Sequence, residues 1–380
     1  RPSGVSASGI PWRRGDGLGS GTMSEAAQRR YASVPWRRII LVGLTVVLAL
    51  VVGVGAYRTL TLPAGERYSG GAWEQFVVLG VAQGAIIALI ALGYSLVYGI
   101  IRMINFAHGE VFMAGAFGSY FFADAYAKSG FLDRHPFAGL AILLLASCAV
   151  SVTVAILLER IAYRRLRNAP RLVPLITAIG ASLFLQNSAR GFFGPGTYGF
   201  PTPKPLEGKW YPLGVEITRV EGVVFIVVIL AVTGLSLFVS RTRTGKAMRA
   251  VAEDGEIASL MGVRVDRVVV ATFALGGLLA GIAAVLYAMT FSQVNFFMGF
   301  RPGIAAFTAA VLGGIGSIAG AALGGLILGL LQSVGPALIL TGFGVPSPFQ
   351  LKDAFTFLVL VLVLIFRPGG LLGTGEAEKL

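Results

Sequence analysis

Nine long apolar runs, most of them near or above the length a helix needs to cross a bilayer, decide most of what this 380-residue chain can fold into. A spanning helix needs about 20 predominantly apolar residues to cover a hydrocarbon layer of about 30 Å. The runs fall at residues 39–57, 76–98, 111–127, 137–158, 173–193, 222–240, 268–291, 304–340 and 350–366. The eighth is too long for one span and is interrupted by Gly313, Gly314 and Gly316, so it reads as a broken or re-entrant pair. Eight to ten membrane segments are therefore expected. A β-barrel would show alternating strands of about ten residues, whereas these runs are continuous and rich in Leu, Ala, Val and Gly. The expected fold is all-α, a polytopic membrane helix bundle with broken or re-entrant helices. With 55% apolar and 13% charged residues, the chain has too little charge to cover a soluble surface.

A formal net charge of +13 would suit nucleic acid, so the placement of the charge decides its meaning. If the first span leaves the cytoplasm, residues 1–38, 159–171 and 241–267 lie inside with an excess of eleven basic residues. Residues 58–75, 128–136, 194–221 and 292–303 then lie outside with an excess of two. That asymmetry sets orientation by the positive-inside rule and excludes nucleic acid as the reason for the charge. It predicts a multi-pass membrane protein with a cytoplasmic N-terminus.

Residues 1–38 read as a disordered basic N-terminus, of which 1–22, rich in Gly, Ser and Arg ahead of Met23, resemble a non-native leader. Residues 39–372 are the membrane domain, with a charged cytoplasmic loop at 241–267, and 373–380 form a tail. Ile39–Ala56 follows Arg37 and Arg38 as a signal peptide would, but it has no small-residue cleavage site and is expected to stay as a helix. The single cysteine, Cys148, sits in an apolar run and excludes an intramolecular disulfide. The longest outer connection, 194–221, has five prolines with Trp210 and Tyr211; it is either a passive loop or a surface for an extracytoplasmic partner. Glycines recur four apart at Gly80 and Gly84, Gly277 and Gly281, Gly316 and Gly320, Gly320 and Gly324, and Gly325 and Gly329, the spacing of closely packed helices in lipid.

Enzyme chemistry finds little footing. Gly245-Lys246 is followed by Ala247 and lacks the upstream glycine and the hydroxyl of a phosphate-binding loop. The two histidines, His108 and His135, have no second ligand at metal spacing, and no metal or cofactor is expected. Two interruptions stand out instead. The first holds Asn105, Phe106, His108, Gly109 and Glu110; Asn105 and Glu110 either cap the next helix or line a path through the bilayer. The second holds Gly313, Gly314, Gly316 and Ser317, where unwound backbone at membrane depth needs protein or water around it. The loop at 241–267 reads as two short helices about a turn at Glu253, Asp254 and Gly255. Asp254 is the N-cap of the second, Ile257, Ala258, Leu260 and Met261 supply its apolar face, and Gly262 ends it.

Several runs, in order from about residue 74 onward, resemble the inner-membrane permease of branched-chain amino acid ABC importers. They are Gly93–Ile101, Met103–Val111, Glu159–Arg164, Ile179–Asn187, Arg249–Gly262 and Ala306–Ser317. The resemblance implies two related permease subunits, ABC ATPase subunits on the inside and an extracytoplasmic substrate-binding protein that delivers leucine, isoleucine or valine. It places ATPase coupling on Arg249, Glu253, Asp254, Ala258 and Gly262, and the translocation path beside the two interruptions. Permeases of this type for urea, short amides or other amino acids are the alternative, and a self-sufficient secondary carrier is the rival class. The apolar segment and basic tail ahead of Trp73 extend beyond the resemblance.

Overall fold

The computed structural model describes residues 36–63, 65–167, 169–170 and 172–373, so the expectations for residues 1–35 and for the last residues of the tail lie outside the described residues. The described residues up to Leu50 are the first stretch of helix α1 (Trp36–Leu60), a unit by itself. The unit from Val51 onward holds everything that follows.

Two helices form its centre, α2 (Gly70–Ile101) and α9 (Val265–Phe291). Both are apolar on every side, as a helix enclosed by other helices must be; two thirds of each apolar window is buried. Around them stand α3 (His108–Lys128), α4 (Pro136–Leu158), α5 (Leu172–Phe193), α6 (Arg219–Arg241), α10 (Phe300–Gly313), α11 (Ile318–Gly335) and α12 (Lys352–Phe366). In α4, α5 and α6 only about a fifth of the window is buried, and side chains such as Leu145, Phe184 and Leu230 face outward. Among the described residues, eight helices are long and apolar enough to cross a membrane.

Glycine seams set the helix spacing. A Cβ on Gly329 of α11 would come within 2.3 Å of the Gly84 Cα on α2, and one on Gly325 within 2.5 Å of the Ala88 Cα. On the other side of the bundle, a Cβ on Gly281 of α9 would come within 2.8 Å of the Cys148 Cα on α4. There the Ser147 hydroxyl donates to the Gly281 carbonyl at 2.8 Å, so the backbones are close enough to bond through one short side chain.

The expected break in the eighth run is present. At 14 residues, α10 extends about 21 Å and is too short to cross. Gly314 (φ 105°) and Gly316 (φ 94°) turn the chain, and the Ser317 hydroxyl accepts from the Gly320 N–H at 3.0 Å to start α11. The two helices run back antiparallel, Gly313 against Gly320 and Ala309 against Gly324. Past α12 the chain returns to this turn: Leu371 N–H donates to the Leu312 carbonyl at 2.8 Å, and Leu372 N–H to that of Gly313 at 2.9 Å. The last carbonyls of a helix have no partner of their own, and this strap supplies two. Truncation after Arg367 should lower the stability of the full chain by about 2 kcal/mol, at about 1 kcal/mol per bond lost; thermal unfolding in detergent checks it.

At the opposite end, the 194–221 connection is folded. Strand β1 (Thr197–Gly199) pairs antiparallel with β4 (Gln293–Asn295), and β2 (Lys209–Trp210) with β3 (Ile217–Thr218). The Lys204 N–H donates to Asp133 at 3.0 Å and holds that carboxyl below its usual range. A capping box of Thr218 and Glu221 starts α6.

Candidate functional site

Helix α2 ends at Arg102, whose left-handed backbone (φ 51°) reverses the chain while its N–H still donates to the Tyr98 carbonyl. Residues 103–107 then fold back into the bundle, and α3 begins at a depth set by His108. A Cβ on Gly93 would meet its Nε2 at 2.3 Å, and one on Gly276 its Cε1 at 3.4 Å. Gly276 lies near the middle of α9, so α3 starts inside the bundle and not at its edge.

Helix α10 starts at the same depth. After β4 the turn at Phe296–Gly299 brings Gly299 against Gly109, where a Cβ on either would overlap the carbonyl of the other. Two helix N-termini thus meet near the centre of the bundle and run away from each other. Each carries a partial positive charge. Glu110, 1% exposed in the first turn of α3, places its carboxyl between them. One of its oxygens accepts from the Ser182 hydroxyl of α5 at 3.2 Å, and a Cβ on Gly299 would come within 2.9 Å of the other. Among the described residues that second oxygen, the His108 Nε2 and the Ser95 hydroxyl have no hydrogen-bond partner.

Asn105 does not cap α3: the N-cap position is Ala107, without a side-chain bond. The Asn105 side chain instead accepts from the Tyr163 hydroxyl at 2.8 Å, and both residues are buried. The two interruptions meet through Gly99 and Gly316 and share a small cavity of about 10 Å³ lined by Tyr94, Tyr98, Asn105, Phe307 and Ile315 among others. That is about the space of one water molecule. Phe106 packs on Phe307 with ring centres 5.5 Å apart.

The other candidates make close backbone contacts or a cap. Gly109 makes room for Gly299, Gly313 for Gly320 and Gly314 for the strap at Gly369–Gly373, while Ser317 caps α11. Tyr163 and Ser182 supply the polar partners of Asn105 and Glu110, and Tyr94 and Phe307 pack beside them. None of the four is among the sequence candidates; Tyr94 and Tyr98, one helical turn apart beside the first interruption, were the available signal.

A second surface lies where α2 ends and α9 begins. Helix α7 (Arg243–Glu253) is capped by Thr242 and buries Met248 and Val251. Helix α8 (Gly255–Leu260) is capped by Asp254, whose carboxylate accepts from the N–H groups of Glu256 and Ile257 at 2.9 Å. Gly262 (φ 84°) ends it, and the Val263 N–H closes back on the Ala258 carbonyl. The face expected to be continuous is divided. Ala258 is buried with Met248, Val251 and Val268, whereas Ile257, Leu260 and Met261 point away and are 60%, 87% and 80% exposed. Arg249 donates to the Val239 carbonyl and fastens α7 to the end of α6; Glu253 is exposed.

Residues 76–364 match a family described as "Branched-chain amino acid transport system / permease component". The chain is 45% identical over 312 residues to the high-affinity branched-chain amino acid transport system permease protein BraD of Pseudomonas aeruginosa, covering 80% of this chain and 97% of that one. It is 42% identical over 310 residues to the LivH permease protein of the corresponding system of Escherichia coli, covering 79% and 95%. A probable branched-chain amino acid transport permease of Methanocaldococcus jannaschii is 25% identical over 301 residues, covering 77% and 92%.

Proposed function

The chain belongs to the branched-chain amino acid transport system permease family and is a multi-pass membrane protein, and from this premise we propose that it is the permease subunit of an ATP-driven importer of branched-chain or other hydrophobic amino acids. ATP is hydrolysed by separate ABC ATPase subunits, a second related permease completes the path, and an extracytoplasmic binding protein delivers the substrate. The membrane is the bacterial inner membrane. The end that carries α7 and α8 is cytoplasmic, in line with the basic excess there.

One observation carries the reading. Helix α8 holds three large apolar side chains in water on a short helix that is capped at both ends and fastened to α7 and α9. A groove on an ATPase subunit is the fitting occupant, because large apolar anchors seated in a pocket carry most of an interface's binding energy. Movement of that groove on ATP binding is passed through α7 and α9 to the bundle, whose two arrangements open the path to one side or the other. Arg249, Asp254 and Gly262 hold the platform in shape, Ala258 seats it on the bundle, and Glu253 is exposed to the ATPase subunit.

The path runs beside the meeting point of α3 and α10. Half-helices that begin at membrane depth present N–H groups to a solute's carboxylate, and Glu110 places a carboxyl beside them. Replacement of Glu110 by Ala should slow uptake by about tenfold with the complex still assembled, measured as leucine flux in proteoliposomes; unchanged flux would make Glu110 a packing residue only.

The reading as a whole is tested by uptake of labelled leucine, glutamate and urea into proteoliposomes, with and without ATP, the ATPase subunits and the binding protein. Leucine accumulation that requires all three is the expected result. Accumulation by the purified chain alone would make it a self-sufficient carrier, and selective uptake of urea would change the substrate.

A further inference from the structure

A second site, independent of the transport reading, lies where α4 and α9 end on the side of α7 and α8. Helix α4 passes into a π turn at Glu159–Tyr163 and a 3₁₀ turn at Arg164–Leu166. The π turn directs Glu159 inward, where it is fully buried and receives the guanidiniums of Arg164, at 3.3 Å, and Arg167. Arg167 also reaches Asp266 in the first turn of α9 and joins the two helix ends.

Both carboxylates of the cluster are therefore engaged. Arg160 and Arg267 are exposed and meet no carboxylate among the described residues. Together with Arg164, Asp266, Val270 and Ala271 they line a groove of about 400 Å³. Four guanidiniums against two carboxylates leave it positive.

The groove is graded along its α9 wall. The end of α4 contributes Arg160 and Arg164, and α9 contributes Arg267 with Val270 and Ala271 one turn further in. On α9 the basic residue stands toward the end, with the apolar ones deeper in the membrane span. A ligand that fits has an anionic group at the membrane boundary and a hydrocarbon part directed inward. Basic pockets between membrane helices hold phosphate headgroups in this way.

We infer that the groove between the ends of α4 and α9 binds the phosphate of an anionic phospholipid, with Arg160 and Arg267 as its principal contacts. Arg164 borders the same groove while holding Glu159. The lipid's acyl chain lies along Val270 and Ala271.

The test is native mass spectrometry of the purified full chain in detergent, titrated with dioctanoyl phosphatidylglycerol, dioctanoyl phosphatidylcholine or inorganic phosphate. Wild type should retain phosphatidylglycerol about tenfold better than phosphatidylcholine. The double variant Arg160→Gln/Arg267→Gln should lose that preference with an unchanged elution profile, and Arg243→Gln, an exposed arginine on α7 outside the groove, should keep it. The inference is overturned if wild type shows no preference or if the double variant keeps it. Displacement of the lipid by an equal concentration of inorganic phosphate overturns it too, in favour of a free-anion site. Loss of ATPase subunit assembly in the double variant with lipid preference intact would make the groove a protein contact instead.

Discussion

Replacing Leu260 and Met261 together by Asp abolishes ATP-dependent leucine uptake in proteoliposomes and leaves the permease folded. Both side chains are more than three quarters exposed and touch little of the bundle, so their loss removes nothing the fold depends on. What disappears is the apolar anchor proposed for the ATPase subunit. A truncated hot-spot side chain costs about 2 kcal/mol or more in association, and two such losses plus two carboxylates facing an apolar groove should weaken docking by about a thousandfold. Co-purification of the ATPase subunits and ATP-driven flux are the measurements, with thermal unfolding of the isolated chain as control. Full flux in the double variant would move the coupling surface elsewhere.

The second large effect is on folding. Gly329→Val in α11 places a branched side chain where the α2 backbone already stands, since even a Cβ would lie 2.3 Å from both the Gly84 Cα and its nitrogen. Backbone atoms of a central helix cannot swing aside as the end of a flexible side chain can. Overpacking of this kind costs about 3 kcal/mol or more and separates α2 from α11. The variant should lose its monodisperse peak on size-exclusion chromatography, whereas Gly234→Val in α6, where a Cβ has nothing within 4 Å, should elute as wild type. A stable Gly329→Val protein would mean that the helix seam does not set the bundle's spacing.

The membrane spans, the break at Gly313–Gly316 and the two-helix platform were legible because each is written locally, in run length, glycine placement and capping residues. Asp254 and Gly262 show it best: each ends or starts a helix through bonds to neighbours within a few residues. The roles of single side chains in the first interruption were not legible. Asn105 had two local possibilities in the sequence, but its partner is Tyr163, 58 positions away, delivered by the π turn after α4. The depth of α3 depends likewise on His108 fitting between Gly93 and Gly276, glycines on two other helices. Ala258 parted from Ile257 and Leu260 because a six-residue helix shows too little periodicity to tell its inner face from its outer one.

The strap that closes on Leu312 and Gly313 also offers a way to watch the molecule work. Leu372, about half exposed, sits beside the turn between α10 and α11, and the chain's one native thiol, Cys148, can be removed by C148S. A fluorophore on L372C would then report from beside that turn during turnover. An affinity handle fused to the same end would load it mechanically and is better moved elsewhere.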